Sequence, residues 1–166
     1  MRNLVKRHWR VIIIIALMAI IFCFSASPAN TSQAMSNSVA DLFNLPHQLT
    51  RKIAHFILFG LLGAAWYYYL RALGRFTPGF TSLGSLLFVF LYALIDEFHQ
   101  TFIPGRSGQF SDILLDTAAG LVGIIIFGTI YYLSRSKQQK QARRKQVDKI
   151  WANNDKLLQK FYKTKK

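Results

Sequence analysis

The sequence predicts an all-α protein: a four-helix transmembrane bundle with a basic cytoplasmic C-terminal tail. Two observations lead there. Four apolar runs of spanning or near-spanning length fall within the first 133 residues. The charge is also split, since residues 134–166 hold twelve Lys or Arg against two Asp, while residues 1–133 hold nine against five acids. A body that is this apolar buries too much surface to stay disordered. The single cysteine, Cys23, excludes a disulfide scaffold. A nucleic-acid-binding domain would explain the net charge of +14 but not the apolar runs, so no nucleic-acid partner is expected.

The predicted organisation is a basic N-terminus (1–10), a transmembrane domain (11–133) and a basic tail (134–166). The first span covers about 11–27, where Val11–Phe24 is fourteen consecutive apolar residues. That is slightly short of a ~30 Å hydrocarbon core, and Trp9 and Arg10 extend it at the interface. Basic residues before it and Ser25-Ala26-Ser27 after it also fit a secretory signal. Pro28 is a poor residue after a cleavage site, so a retained anchor is expected. Residues 28–50 are expected to form an outer loop with an amphipathic piece at Met35, Val39, Leu42 and Phe43, ended by Pro46.

The second span, about 53–70, carries His55 as its one polar interruption and ends in Tyr67-Tyr68-Tyr69, read as an interfacial aromatic belt. The third, about 80–103, is apolar through Ile95, meets Asp96-Glu97-Phe98-His99-Gln100, and breaks at Pro104-Gly105. The fourth, about 112–133, is interrupted by Asp116, Thr117 and Thr129, and its Ala119, Gly120 and Gly123 suggest a close-packing seam. The tail repeats Val147, Ile150, Trp151, Leu158, Phe161 and Tyr162 among lysines. This predicts a basic amphipathic helix on the anionic lipids of the inner leaflet, each Lys or Arg adding on the order of 1 kcal/mol; a solvated, frayed tail is the alternative.

Orientation follows from Lys and Arg counts. With the N-terminus inside, eighteen basic residues are cytoplasmic and three, Arg51, Lys52 and Arg106, are outside. The expectation is a multi-pass cell-membrane protein with both termini cytoplasmic. The buried polar groups then converge at the outer end. Arg51, Lys52 and His55 share one face of the second helix, and Asp96, Glu97 and Gln100 share an arc of the third with His99 beside it. Asp112 and Asp116 open the fourth, one turn apart. Charges inside a bilayer cost several kcal/mol unless paired or hydrated, which points to function; a salt-bridge network that only pins helices is the plainer reading. Asp112 alone also fits ordinary stabilisation at a helix N-terminus.

At these residues the sequence resembles the VanZ-like family of bacterial membrane proteins. The resemblance rests on Arg51-Lys52-Ile53-Ala54-His55-Phe56, Asp96-Glu97-Phe98-His99-Gln100, Pro104-Gly105-Arg106-Ser107-Gly108, and Asp112 with Asp116 and Gly120. Phe24-Ser25-Ala26-Ser27-Pro28 is similar to the family's first-helix exit, and Asp116 stands where Asn is more familiar. The resemblance implies a Gram-positive-type cell-envelope setting and a link to susceptibility to teicoplanin, a glycopeptide that binds cell-wall precursors outside the membrane. It implies no settled reaction and leaves the tail unexplained.

Three functions compete. The first is an enzyme or modifier of a lipid-linked or envelope molecule in the outer leaflet. There Glu97 serves as general base or acid, His55 moves a proton, and Arg106 and Lys52 hold a phosphate or pyrophosphate. Asp112 and Asp116 orient those cations, or join Glu97 and His55 around a divalent metal; no compact ligand motif assigns one. Asp96, Gln100 and His99 complete the expected binding set. The second is a non-catalytic binder that shields an envelope ligand or a glycopeptide. The third, a small proton-coupled transporter, ranks last because the charges lie only at the outer end.

Overall fold

The computed structural model describes residues 2–27 and 47–164, with side chains described for 8–27 and 49–156. The expected amphipathic piece at Met35, Val39, Leu42 and Phe43 lies outside these residues, as do the side chains of Leu158, Phe161 and Tyr162. Regular structure among the described residues is helical, without strands: α1 (Arg2–Ser25), α2 (His47–Leu73), α3 (Pro78–Gln100) and α4 (Phe110–Thr164). All four are long and apolar enough to cross a membrane, so the chain is a multi-pass membrane protein. It divides into two compact units, Met1–Gly128 and Thr129–Lys166.

The first unit is turned inside out relative to a water-soluble bundle, and α3 shows this best. Its buried face carries Thr81, Ser85, Asp96, Glu97 and Gln100 alongside Val89, Tyr92 and Ala93. Its exposed face carries Leu83, Leu87, Leu91, Ile95 and Phe98, a row at helical spacing that suits lipid and not water. Thr77 caps the helix start, with Pro78 in the first turn where a missing N–H costs nothing. The helix was expected to reach residue 103 and instead stops at Gln100. Its last turn tightens: Phe102 and Ile103 donate to the carbonyls of His99 and Gln100, three residues back, at 3.1 Å each. Pro104 is the cause, because it disfavours helical backbone in the residue before it.

Helix α1 is part of the core. Ile14 and Ile21 are buried with Phe59, Leu62 and Val89, and the Tyr92 hydroxyl donates 2.6 Å to the Met18 carbonyl. At one end of the unit the Arg10 guanidinium lies 4.7 Å from the Tyr68 ring centroid. At the other, the Phe24 ring lies 6.1 Å from that of His55, near the start of α2, and Ser25 reaches α3. Helices α1 and α2 are therefore antiparallel. The end that matters below combines the C-termini of α1 and α3 with the N-termini of α2 and α4. Tyr67, read from sequence as part of an interfacial belt, is buried against Gly128 because the glycine leaves room for its ring.

The small residues of α4 form the expected seam. A Cβ on Gly63 would lie 2.5 Å from the Gly120 carbonyl oxygen, and one on Gly120 would lie 2.5 Å from Val89 Cγ1. A Cβ on Gly123 would overlap the Gly60 carbonyl. Helix α4 thus meets α2 backbone to backbone and touches α3 across the same stripe, which fixes the depth at which Asp112 and Asp116 face their partners. In the second unit, Lys140, Arg143, Arg144 and Lys145 are exposed, as are Val147, Ile150 and Trp151.

Gly123→Val is expected to lower stability in detergent by about 1–3 kcal/mol through overpacking, whereas Gly79→Ala, with no atom near its Cβ, stays within about 0.5 kcal/mol of wild type. Thermal unfolding of the two variants checks this; equal losses would contradict the seam.

Candidate functional site

The polar residues meet where the four helix ends converge, and nearly every pairing joins two elements. From α2, Lys52 Nζ donates 2.7 Å to Asp112 Oδ1 in the first turn of α4. One turn deeper, His55 Nδ1 lies 3.4 Å from Asp116 Oδ2. The repeat is simple: residues 52 and 55 on one helix face residues 112 and 116 on another, so the two pairs stack along the α2–α4 contact. The pair nearer the helix ends is part-exposed and the deeper one buried, with His55 packed between the Phe24 and Phe59 rings.

Asp96 ties α3 to α1. Its Oδ2 accepts from Ser25 Oγ at 2.8 Å and from Gln100 Nε2 at 2.9 Å. Ser25 is the last residue of α1 and is fully buried. Glu97, on the next step of the helix, accepts at 2.5 Å from the backbone N–H of Gln109. That contact depends on the loop glycines. Gly105 has φ +77°, a conformation that favours glycine, and a Cβ on Gly108 would fall 2.8 Å from Thr101 Cγ2. Between them, Arg106 Nη2 donates 3.4 Å to the Phe24 carbonyl at the end of α1. Burial and the neighbouring Arg51 charge push the Arg106 guanidinium below its ordinary pKa, while Asp96 and Glu97 pull it back up.

A cleft lined by Arg51, Lys52, His55, Glu97, Gln100, Asp112, Leu115 and Asp116 opens among these groups. Its volume, about 10 Å³, matches one water or one ion, so anything larger engages its rim. Of the residues expected from sequence, Lys52, His55, Glu97, Gln100, Asp112 and Asp116 line the cleft, and Asp96 backs it through Gln100. His99 does not join them. It sits one helical step from Gln100, about 100° around the axis, and stacks on Phe22 of α1 at 4.4 Å. Two contributors were missed by sequence reasoning. Ser25 read as the exit from an apolar run, although its hydroxyl at the end of that run was the available signal. The Gln109 N–H is a backbone donor, which no side-chain pattern announces.

The model of the VanZ/LLP1 family matches residues 10–131. The chain belongs to this family. The match spans the four helices as far as Tyr131 and stops short of the basic tail. No curated protein and no solved structure matches the chain. The VanZ/LLP1 match thus covers every residue of the polar cleft, from Arg51 to Asp116.

Burial separates the pairings by cost. Asp96→Ala leaves Ser25 and Gln100 buried without their acceptor, and a loss of about 2 kcal/mol or more is expected. Lys52→Met breaks a part-exposed pair and is expected to cost under about 1 kcal/mol. Chemical or thermal unfolding in micelles ranks the two, and the opposite order would contradict the assignment.

Proposed function

We propose that this VanZ/LLP1 protein engages the phosphate-bearing head of a lipid-linked cell-envelope molecule at the outer face of the cell membrane, and so lowers susceptibility to glycopeptides such as teicoplanin. The observation that carries the reading is the composition of the cleft. Two cations, Arg51 and Lys52, stand at a small space whose other walls hold Glu97, Asp112, Asp116 and His55. Phosphate oxygens suit a guanidinium fork and an ammonium, and a space for one water suits proton transfer beside them.

In this reading Arg51, Lys52 and Arg106 hold the anionic head. Asp112 positions the Lys52 ammonium through their 2.7 Å contact. Glu97 takes or gives a proton; its link to Gln109 uses one of several acceptor sites that a carboxylate offers. His55 relays charge towards Asp116. The outward orientation is supported by the eighteen Lys and Arg that fall on the opposite side of the spans, twelve of them in the tail. The tail in turn binds anionic inner-leaflet lipid through its exposed cations.

A second reading, a non-catalytic binder, is favoured by one contact. Glu97 holds the 106–109 loop through Gln109 N–H, which makes it a structural strut for Arg106 as well as a candidate base.

The test is teicoplanin susceptibility in a sensitive host expressing wild type, Glu97→Gln or Arg106→Ala at matched membrane levels. Wild type is expected to protect, and Arg106→Ala to lose protection. Glu97→Gln should abolish it if the site is catalytic and spare it if the site only binds. Equal susceptibility in the empty host and in all three strains would overturn the glycopeptide reading.

A further inference from the structure

At the wall of the cleft, His55 and Asp116, given a charge-relay part in the phosphate reading, come together with Asp96 from a third helix. His55 of α2, Asp96 of α3 and Asp116 of α4 each bring a nitrogen or oxygen atom within 4.8 Å of the other two. All three are more than nine-tenths buried, at 7%, 3% and 3% exposure. Two of their atoms stand buried without a hydrogen-bond partner among the described residues: His55 Nε2 and Asp96 Oδ1. Buried polar atoms in native proteins are paired in the great majority, so two in one triad ask for an occupant.

The hydrogen bonds around the triad are arranged as ligand supports. Ser25 and Gln100 both donate to Oδ2 of Asp96, which orients the carboxylate and leaves its Oδ1 open. Protein groups that grip one atom of a ligating side chain and present the other are the usual accompaniment of a metal. The His55–Asp116 contact is long for a hydrogen bond at 3.4 Å, so little is lost when the imidazole turns to another partner.

We propose that His55, Asp96 and Asp116 bind a divalent first-row cation of the zinc or manganese type. Charge favours it: two carboxylates close together in an apolar setting repel, and a divalent ion neutralises both. The donor set selects the class. One imidazole with two carboxylates suits zinc or manganese, whereas magnesium and calcium take oxygen alone. Ligand atoms around such an ion, at about 2.0–2.2 Å from it, stand roughly 3–4 Å apart, and the triad atoms, all within 4.8 Å of one another, lie close to that spacing. The adjoining cleft supplies a place for a coordinated water. This inference stands apart from the phosphate reading, because metal binding is measured without any substrate.

The full-length protein, purified in detergent and stripped with a chelator, is titrated with Co2+ as a spectroscopic stand-in and then with Zn2+ and Mn2+. Expected are visible ligand-field bands saturating at one Co2+ per chain, and their loss on adding Zn2+. His55→Gln and Asp116→Asn should each weaken binding by at least about tenfold, while Gly79→Ala, at the far end of α3 from Asp96, leaves it unchanged. Should a triad variant fail to fold, pulsed electron paramagnetic resonance on the wild type with Cu2+ decides, since an imidazole ligand gives a nitrogen modulation. The proposal is overturned by folded wild type that binds none of these ions above buffer, by a bound ion without imidazole coupling, or by folded triad variants that bind as wild type does.

Discussion

Everything at the polar end depends on one constraint: a carboxylate held among lipid-facing helices must find a partner on another element. Asp96 meets it through Ser25 and Gln100, Asp112 through Lys52, Asp116 through His55, and Glu97 through the backbone of Gln109. Apart from Asp96–Gln100, which lies within α3, each partnership crosses from one element to the next. The unit consequently closes only when α1 to α4 and the loop before α4 stand in one register. An unpaired member would cost several kcal/mol, more than a small apolar interface readily returns.

That register is set further down the helices, where no charge is involved. Gly60, Gly63, Gly120 and Gly123 let α2 and α4 touch along their backbones. In lipid there is little hydrophobic drive between helices, so contact at this distance supplies the packing energy. The seam places Lys52 and His55 level with Asp112 and Asp116, and Val89 against Gly120 brings α3 to the same depth. Packing and site are thus one design: the glycines determine how near the helices come, and the charges determine which ends must meet.

Much of this is legible in the sequence, and the exceptions have physical causes. The four spans follow from apolar length, which backbone hydrogen bonding in lipid enforces. The gathering of His55, Asp96, Glu97, Gln100, Asp112 and Asp116 follows from helical spacing, since residues three or four apart share a face. The same logic fails at His99, where one step around the helix turns the ring towards Phe22. It also misplaces the end of α3, because Pro104 acts on the residues before it and not only at its own position. Ser25 offered only a hydroxyl at the end of an apolar run, and the Gln109 main-chain amide carries no side-chain pattern at all. Arg51, read from sequence on the same face as Lys52 and His55, lines the cleft with them.

The proposed envelope role requires the cleft to face outward, where a cell-wall molecule can reach it. Ser107 sits exposed in the loop beside the cleft, and Phe76 is exposed between α2 and α3 at the other end of the unit. Each is replaced by cysteine in a Cys23→Ser background and treated in intact cells with a membrane-impermeant maleimide. The account predicts that Ser107→Cys is labelled at once and Phe76→Cys only after the membrane is opened. Labelling of Phe76→Cys in intact cells, with Ser107→Cys protected until permeabilisation, would place the cleft on the cytoplasmic side and contradict the envelope role.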